Sequence, residues 1–330
     1  MPLSGPSGEQ GQKLAELIKW GLEDHLSGFI SITTYDVATE DFTMQAIDKM
    51  RLNGTQIILG PLYSQNVKLL EEFIKENNIL MITLSNNIAL TDNQNIYIFG
   101  HVPLKQTMYL NSYLISSGHK DFAILLPRTR TSQNLNKALS EFIISSGGNV
   151  ISSNYYDSSR SSIEDVIKNL DEQIELESEK SDFSSKPVIL ISEDRADVLK
   201  EILGNIKEHG LDKKAIIAGD SRLDIEFAGN IDLVFTGSSK LFLAPLREKS
   251  EALLGIKRFN YLENLAYDLG AMVSTSVGVS YDRENFLNRL KAANYWSGYS
   301  GDIRFNGSVA ERKYHIIKRE GSQYNIINNN

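Results

Sequence analysis

A chain of 330 residues with 41% apolar residues exceeds a typical single domain and can core two lobes of about 150 residues each. Lys and Arg number 34 against 42 Asp and Glu, a net charge of −8 with no basic run carrying interleaved aromatics, which weighs against nucleic acid or anionic membrane surfaces as partners. The absence of cysteine excludes disulfides and thiolate metal sites, and no apolar run approaches the ~20 residues that span a bilayer.

Pro2 to Gly8 reads as a turn, and Gln12 to Leu26 as a helix with Leu14, Leu17, Ile18, Gly21 and Leu22 on one packed stripe. A turn of this kind normally follows a strand, so the expectation is an upstream segment before Met1, with room there for a signal peptide or a lipoprotein signal and its cysteine. Phe29 to Tyr35 is expected as a strand, and Glu40 to Asn53 as a helix carrying Phe42, Met44, Ile47 and Met50. Gln56 to Asn87 is the most regular stretch. It reads as a buried strand to Gly60, a Gly60-Pro61 turn, a helix capped by Ser64 with Val67, Leu70, Phe73 and Ile74 on one face, a strand Ile79 to Thr83, and the turn Ser85-Asn86-Asn87. That is the length of a βαβ unit, with two polar turns at the carboxyl ends of neighbouring parallel strands.

A short strand Ile96 to Phe99 is broken by Gly100-His101-Val102-Pro103, where the first crossing between lobes is expected. A second series follows. Helix Gln106 to Ser117, strand Phe122 to Leu126, helix Gln133 to Ser145 and strand Asn149 to Ser153 lead to helix Ser162 to Glu177. Glu177 to Lys186 reads as a solvated charged insertion, and Val188 to Ile191, Ala196 to His209 and Ala215 to Ala218 complete the series. Its turns carry Arg128 and Arg130, then Ser192-Glu193-Asp194, then Gly219-Asp220-Ser221; the adjacent acids Glu193 and Asp194 read as solvated. After Leu233 to Phe235, helices are expected over Ala244 to Leu254, Asn260 to Val279 and Arg283 to Ala293, packing back on the first lobe. Asn306-Gly307 then makes a hairpin turn with Tyr314 to Lys318 as the returning strand.

The expected architecture is α/β, with two doubly wound parallel-sheet lobes joined by three crossovers and a cleft between them. Residues 1–100 and 240–305 form the first lobe, and 101–239 and 306–330 the second. Open parallel sheets bind ligands beyond the strand ends, where helix amino termini present free N–H groups.

Leu3-Ser4-Gly5-Pro6, Gly60-Pro61-Leu62-Tyr63-Ser64, Met81-Ile82-Thr83-Leu84-Ser85-Asn86, Ala266-Tyr267-Asp268 and Gly298-Tyr299-Ser300-Gly301-Asp302-Ile303-Arg304-Phe305 resemble the landmarks of type I periplasmic solute-binding proteins, such as the leucine/isoleucine/valine-binding proteins of ABC transporters. With the Leu69-Leu70 helix they also resemble the related lipoprotein activators of penicillin-binding proteins. The resemblance implies a hinged, non-catalytic receptor of the periplasm, lipid-anchored upstream of Met1, that closes on a small polar ligand and needs no cofactor. Its implied partners are a membrane permease in the first case and a penicillin-binding protein in the second.

By the same resemblance, Ser64, Gln65, Ser85, Asn86 and Asn87 hold an amino acid's carboxylate and ammonium, Asp220 completes the ammonium site, and Arg130 stands where an aromatic often covers the ligand. Gln65, Asn86 and Asn87 are bulkier than the family's usual residues there, a departure that favours the activator reading.

Catalysis is not expected. No G-x-G-x-x-G or G-x-x-x-x-G-K-[ST] is present, Gly298 to Gly301 lacks the spacing of a nucleophile elbow, and His25, His101, His119, His209 and His315 are scattered. Tyr63 and Trp296 are the aromatic candidates for a ligand wall; for Trp296 packing is at least as good a reading.

Overall fold

The computed structural model describes residues 1–25, 30–100, 103–157, 159–180, 185–225, 230–238, 259–277, 281–292, 294–321 and 323–327. The first stretch of chain carries helices α1 (Gly8–His25) and α2 (Glu40–Leu52), strand β1 (Ile57–Leu59), helix α3 (Ser64–Glu76) and strands β2 (Leu80–Thr83) and β3 (Ile96–Ile98). Next come α4 (Pro103–Ser116), β4 (Asp121–Pro127), α5 (Arg130–Ser145), β5 (Asn149–Tyr156), α6 (Arg160–Lys180) and β6 (Val188–Ile191). They are followed by α7 (Ala196–Glu208), α8 (Leu211–Lys214), β7 (Ile216–Gly219) and β8 (Leu233–Gly237). The remainder supplies α9 (Tyr261–Val277), α10 (Arg283–Leu290), β9 (Trp296–Gly298), β10 (Gly301–Asn306), β11 (Val309–Lys313), β12 (His315–Glu320) and β13 (Gln323–Ile326). The chain divides into two compact units, Met1–His101 with Lys240–Lys313 and Val102–Ser239 with Tyr314–Asn330.

The first unit is built on a sheet of order β1-β2-β3-β11-β10-β9, parallel through β1, β2, β3 and β11 and antiparallel at β10 and β9. Its central strands are buried on both faces, which is why they read as unbroken apolar runs. Leu80, Ile82, Tyr97 and Phe99 face a core with α1, α9 and α10, while Met81, Ile96 and Ile98 face a second core with Ala46, Ile47 and Met50 of α2 and Val67, Leu70 and Ile74 of α3. Helices α1 and α9 approach closely because each carries a glycine at the crossing. A methyl group on Gly21 would collide with the Tyr267 carbonyl, and one on Gly270 with the Ile18 carbonyl.

The second unit's sheet has the order β13-β12-β8-β7-β6-β4-β5, parallel from β8 to β5 and antiparallel at β12 and β13. Leu110 and Leu114 of α4 and Leu139 and Ile143 of α5 pack with Phe122, Ile124 and Leu190 on one face. Gln106 of α4 is fully buried, and its Oε1 accepts from the Ser221 amide (3.1 Å), the Ser221 hydroxyl (2.9 Å) and the Thr236 hydroxyl (3.0 Å).

Several expected elements move. Residues 30–35 belong to no ladder, and Phe29 lies outside the described residues. The strand returning from the Asn306-Gly307 turn is β11, not Tyr314 to Lys318: Asn306 pairs with Val309 across a two-residue loop, and β12 pairs with β8 in the other sheet. The change of unit therefore falls after Lys313 rather than at 306. Both sheets are mixed, because the hairpin and the tail add antiparallel strands at their edges. The helix expected over Ala244 to Leu254 lies outside the described residues.

Candidate functional site

In the first unit the two expected turns do lie side by side at the carboxyl ends of neighbouring strands. The Thr83 hydroxyl donates to the Pro61 carbonyl at 2.6 Å, and the Leu84 amide bonds the same oxygen at 3.1 Å. Gly60 has φ +91°, a region where a side chain is strained, and a Cβ there would also meet the Met1 sulfur at 2.8 Å. These constraints place the start of α3 against the turn after β2.

Ser64 is the first residue of α3 rather than its cap. The cap position is Tyr63, which makes no side-chain capping bond and instead shares a 3.1 Å hydrogen bond between its hydroxyl and that of Ser7. The Asn66 and Val67 amides bond the Tyr63 carbonyl, while the Ser64 and Gln65 amides have no acceptor among the described residues. These are the open donors of a helix amino terminus. Ser85 is 3% exposed; its amide donates to the Thr83 hydroxyl (3.0 Å) and its own hydroxyl accepts from the Asn87 amide (3.2 Å). Asn87 caps the following short helix through Ala89, and Asn86 is exposed.

In the second unit the expected residues do not form one group. Arg130 starts α5, is exposed and has no ion pair among the described residues, whereas Asp220 follows β7, two strands away in the order β7-β6-β4. Asp220 is 1% exposed and is engaged by its own neighbour: Arg222 Nε donates to Oδ1 at 2.9 Å and Nη2 to Oδ2 at 2.6 Å. The same Nη2 reaches the Ser192 hydroxyl at 2.6 Å, linking the ends of β7 and β6. A carboxylate gripped by a bidentate guanidinium is a poor acceptor for a ligand's ammonium.

Glu193 corrects another expectation. It is 5% exposed rather than solvated, taking the Tyr156 hydroxyl at 2.6 Å on one oxygen and the Asp194 and Arg195 amides, both at 2.8 Å, on the other. It thereby ties together the turn that leads into α7. Burial pushes its carboxyl above the ordinary range, with the Tyr156 and Arg195 hydrogen bonds opposing, and burial beside Glu193 pushes the Tyr156 hydroxyl up as well. Arg222, Ser192 and Tyr156 were not candidates in the sequence. An acid and an arginine at i and i+2 after a strand was the one available signal.

Two landmark motifs have a structural role. Asp268 of α9 is fully buried and accepts from the Tyr299 amide (2.9 Å), the Ser300 amide (2.6 Å) and the Ser300 hydroxyl (2.6 Å), stitching α9 to the β9–β10 turn. Burial pushes its pKa up to about 6 against those three donors. Trp296 packs partly buried on the first unit's core. Among the described residues no group of three His, Cys, Asp or Glu is placed to hold a metal ion, and no helix is long and apolar enough to cross a membrane.

No protein-family model matches the chain. It is 36% identical over 327 residues to the uncharacterized protein RP748 of Rickettsia prowazekii, covering 99% of this chain and 87% of that one. A weaker similarity, 24% over 144 residues, relates 43% of the chain to 23% of the penicillin-binding protein activator LpoA of Photobacterium profundum. Among solved structures, a branched-chain amino acid ABC transporter periplasmic ligand-binding protein from Burkholderia xenovorans superposes with a TM-score of 0.75 at 15% identity, over 99% of this chain and 92% of that one. A solute-binding protein of an ABC transporter from Rhodopseudomonas palustris, in complex with 3,4-dihydroxybenzoic acid, gives 0.72 at 14% identity over 98% and 93%. The leucine-binding protein LivK of Thermotoga maritima gives 0.66 at 16% identity over 98% and 95%.

Proposed function

This chain belongs to the same family as protein RP748 of Rickettsia prowazekii and has the fold of the type I periplasmic solute-binding proteins, and from that premise we propose that it is a non-catalytic extracytoplasmic receptor for a small polar ligand. The observation that carries this reading is the pair of adjacent turns after β1 and β2, where the Ser64 and Gln65 amides have no acceptor among the described residues, beside Ser85, Asn86 and Asn87. Helix-terminal amides favour an anion, so the ligand bears a carboxylate.

An acid without an α-amino group suits the chain better than an amino acid, because Asp220 is already closed on Arg222. The Rhodopseudomonas palustris relative carries a ligand of that kind, 3,4-dihydroxybenzoic acid. Within the second unit Arg130 offers an exposed guanidinium for an anion, and Asp220 acts by fixing Arg222. The compartment is the periplasm, and the downstream partner is a membrane permease.

The partial match to LpoA favours a second reading, in which the protein regulates a peptidoglycan synthase by contact with a penicillin-binding protein.

Thermal unfolding across amino acids, hydroxybenzoates and other small carboxylates, and peptidoglycan fragments separates the two. A ligand at 100 times its Kd adds about 2.7 kcal/mol. A saturable rise with a carboxylate, lost in Ser85→Ala, supports the receptor. No rise with any compound, together with capture of a purified penicillin-binding protein, supports the regulator.

A further inference from the structure

The parallel pairing of β11 with β3 is confined to Val309 and Ile98, so the ladder ends before Phe99 and Gly100. Their carbonyls are taken by one side chain. Arg312 of β11 donates from Nη2 to the Phe99 carbonyl at 2.6 Å and from Nη1 to the Gly100 carbonyl at 3.4 Å, with its guanidinium carbon 4.7 Å from the centre of the Phe99 ring. Its Nε reaches the Ser300 hydroxyl at 3.4 Å, and that hydroxyl donates onward to the buried Asp268 carboxylate at 2.6 Å. A planar fork of fixed donors serves three acceptors at once, which the ammonium of a lysine on its flexible stem does not do.

Phe99 and Gly100 in turn back the turn that carries Ser85. The Phe99 amide donates to the Thr83 carbonyl at 2.8 Å, and the Thr83 hydroxyl accepts from the Ser85 amide at 3.0 Å. The chain bends at Gly100, whose bare Cα lies against the Leu84–Ser85 peptide; a methyl group there would collide with the carbonyl oxygens of both residues. The far end of the chain of contacts is equally tight. Phe99, Ser300 and Asp268 are buried, Asp268 is held by three donors, and a Cβ on Gly298 would meet its Oδ2 at 2.5 Å. A shift of Phe99 and Gly100 therefore passes to the Ser85 turn, because close-packed interiors leave no room to absorb it. Gly100 also lies one residue before the first unit's opening stretch ends at His101, and Arg312 one residue before its second stretch ends at Lys313. One guanidinium thus secures the chain at both of those exits.

We propose that Arg312 is a positioning residue for the turn after β2: by fixing the Phe99–Gly100 backing it sets the place of the Leu84–Ser85 peptide, and through it the affinity of that turn for a carboxylate. The part concerning affinity rests on the receptor reading above; the part concerning the turn does not.

The test compares Arg312→Lys and Ser300→Ala with Arg304→Lys as control, since Arg304 lies on the neighbouring strand β10 and pairs with Glu311 at 3.5 Å. The amide NMR signals of Ser85 and Asn87 in the ligand-free 330-residue chain read the turn, urea unfolding reads stability, and titration with 3,4-dihydroxybenzoate reads affinity. Arg312→Lys is expected to shift both signals and to weaken binding about tenfold, the worth of one hydrogen bond from a charged donor. Ser300→Ala is expected to move the same signals by less, and Arg304→Lys to move neither signals nor affinity. An arginine that only stabilised the fold would lower the unfolding midpoint and leave the folded-state turn signals where they were, and that result overturns the proposal. Equal shifts from Arg304→Lys overturn it as well. Should Arg312→Lys fail to fold, Ser300→Ala decides on the same two signals, and signals that stay in place overturn the proposal. Failure of the unsubstituted chain to bind 3,4-dihydroxybenzoate counts against the receptor reading alone, and the turn signals still decide on Arg312.

Discussion

The strand ends of the two units are chemically opposite. In the first, the Ser64 and Gln65 amides are left without acceptors among the described residues, beside a buried Ser85; in the second, the acids at the strand ends are already satisfied, Glu193 by Tyr156 and two amides and Asp220 by Arg222. The first unit keeps its polar capacity for something outside it, and the second has spent most of its own on holding its turns. A turn's residue types show that polar groups are present, but only their partners show whether they remain available.

The sharpest way to break that contrast is Glu193→Ala, which strands a buried tyrosine hydroxyl and the Asp194 and Arg195 amides of the turn before α7. A loss of about 3 kcal/mol is expected in urea unfolding; a loss under ~1 kcal/mol would mean the cluster is solvated after all. A comparable effect belongs to Asp268, a spent acid inside the first unit. Its folded pKa of about 6 lies above the ordinary value near 4, so between those pH values the folded state holds a proton that the unfolded state has lost. Stability from this group is therefore greatest below about pH 4 and falls by up to ~3 kcal/mol as pH rises to about 6. Asp268→Asn should flatten that slope, as read from Tm against pH.

Asp220→Ala should cost about 2 kcal/mol, discounted from a fully buried pair because the Arg222 side chain is 20% exposed. If Asp220 instead served a ligand directly, the variant would lose ligand response while keeping its stability. The smallest effect is expected at the open turn. Gln65→Ala should shift stability by less than ~0.5 kcal/mol, since the exposed side chain bonds nothing that is described. A larger loss would show that this turn is tied into the fold as firmly as its counterpart.

The βαβ stretch was legible because its strands are apolar on both faces and its helix keeps Val67, Leu70, Phe73 and Ile74 on one side. The tail misled for a physical reason. Val309 to Lys313 is polar and partly exposed, so it looks like a connection, whereas Ile316 and Ile317 are fully buried and look like the better strand. They are buried in the other sheet. Residues 30–35 read as a strand but belong to no ladder, because a ladder needs a neighbour that local sequence does not supply. Of the candidate residues, Ser64, Gln65, Ser85, Asn86 and Asn87 could be grouped from one continuous unit. The Glu193–Tyr156 bond spans 37 positions, and no local pattern announces it.

The crossing of α1 and α9 at Gly21 and Gly270 also sets the order of events at the ribosome. At ~5–20 residues per second, α1 waits roughly 10–50 s after its own synthesis before the helix it packs on exists. The part of its Leu14, Leu17, Ile18 and Leu22 face that meets α9 stays uncovered for that interval, although Leu80, Ile82, Tyr97 and Phe99 of the same core are made soon after α1, so the first unit's core is completed late.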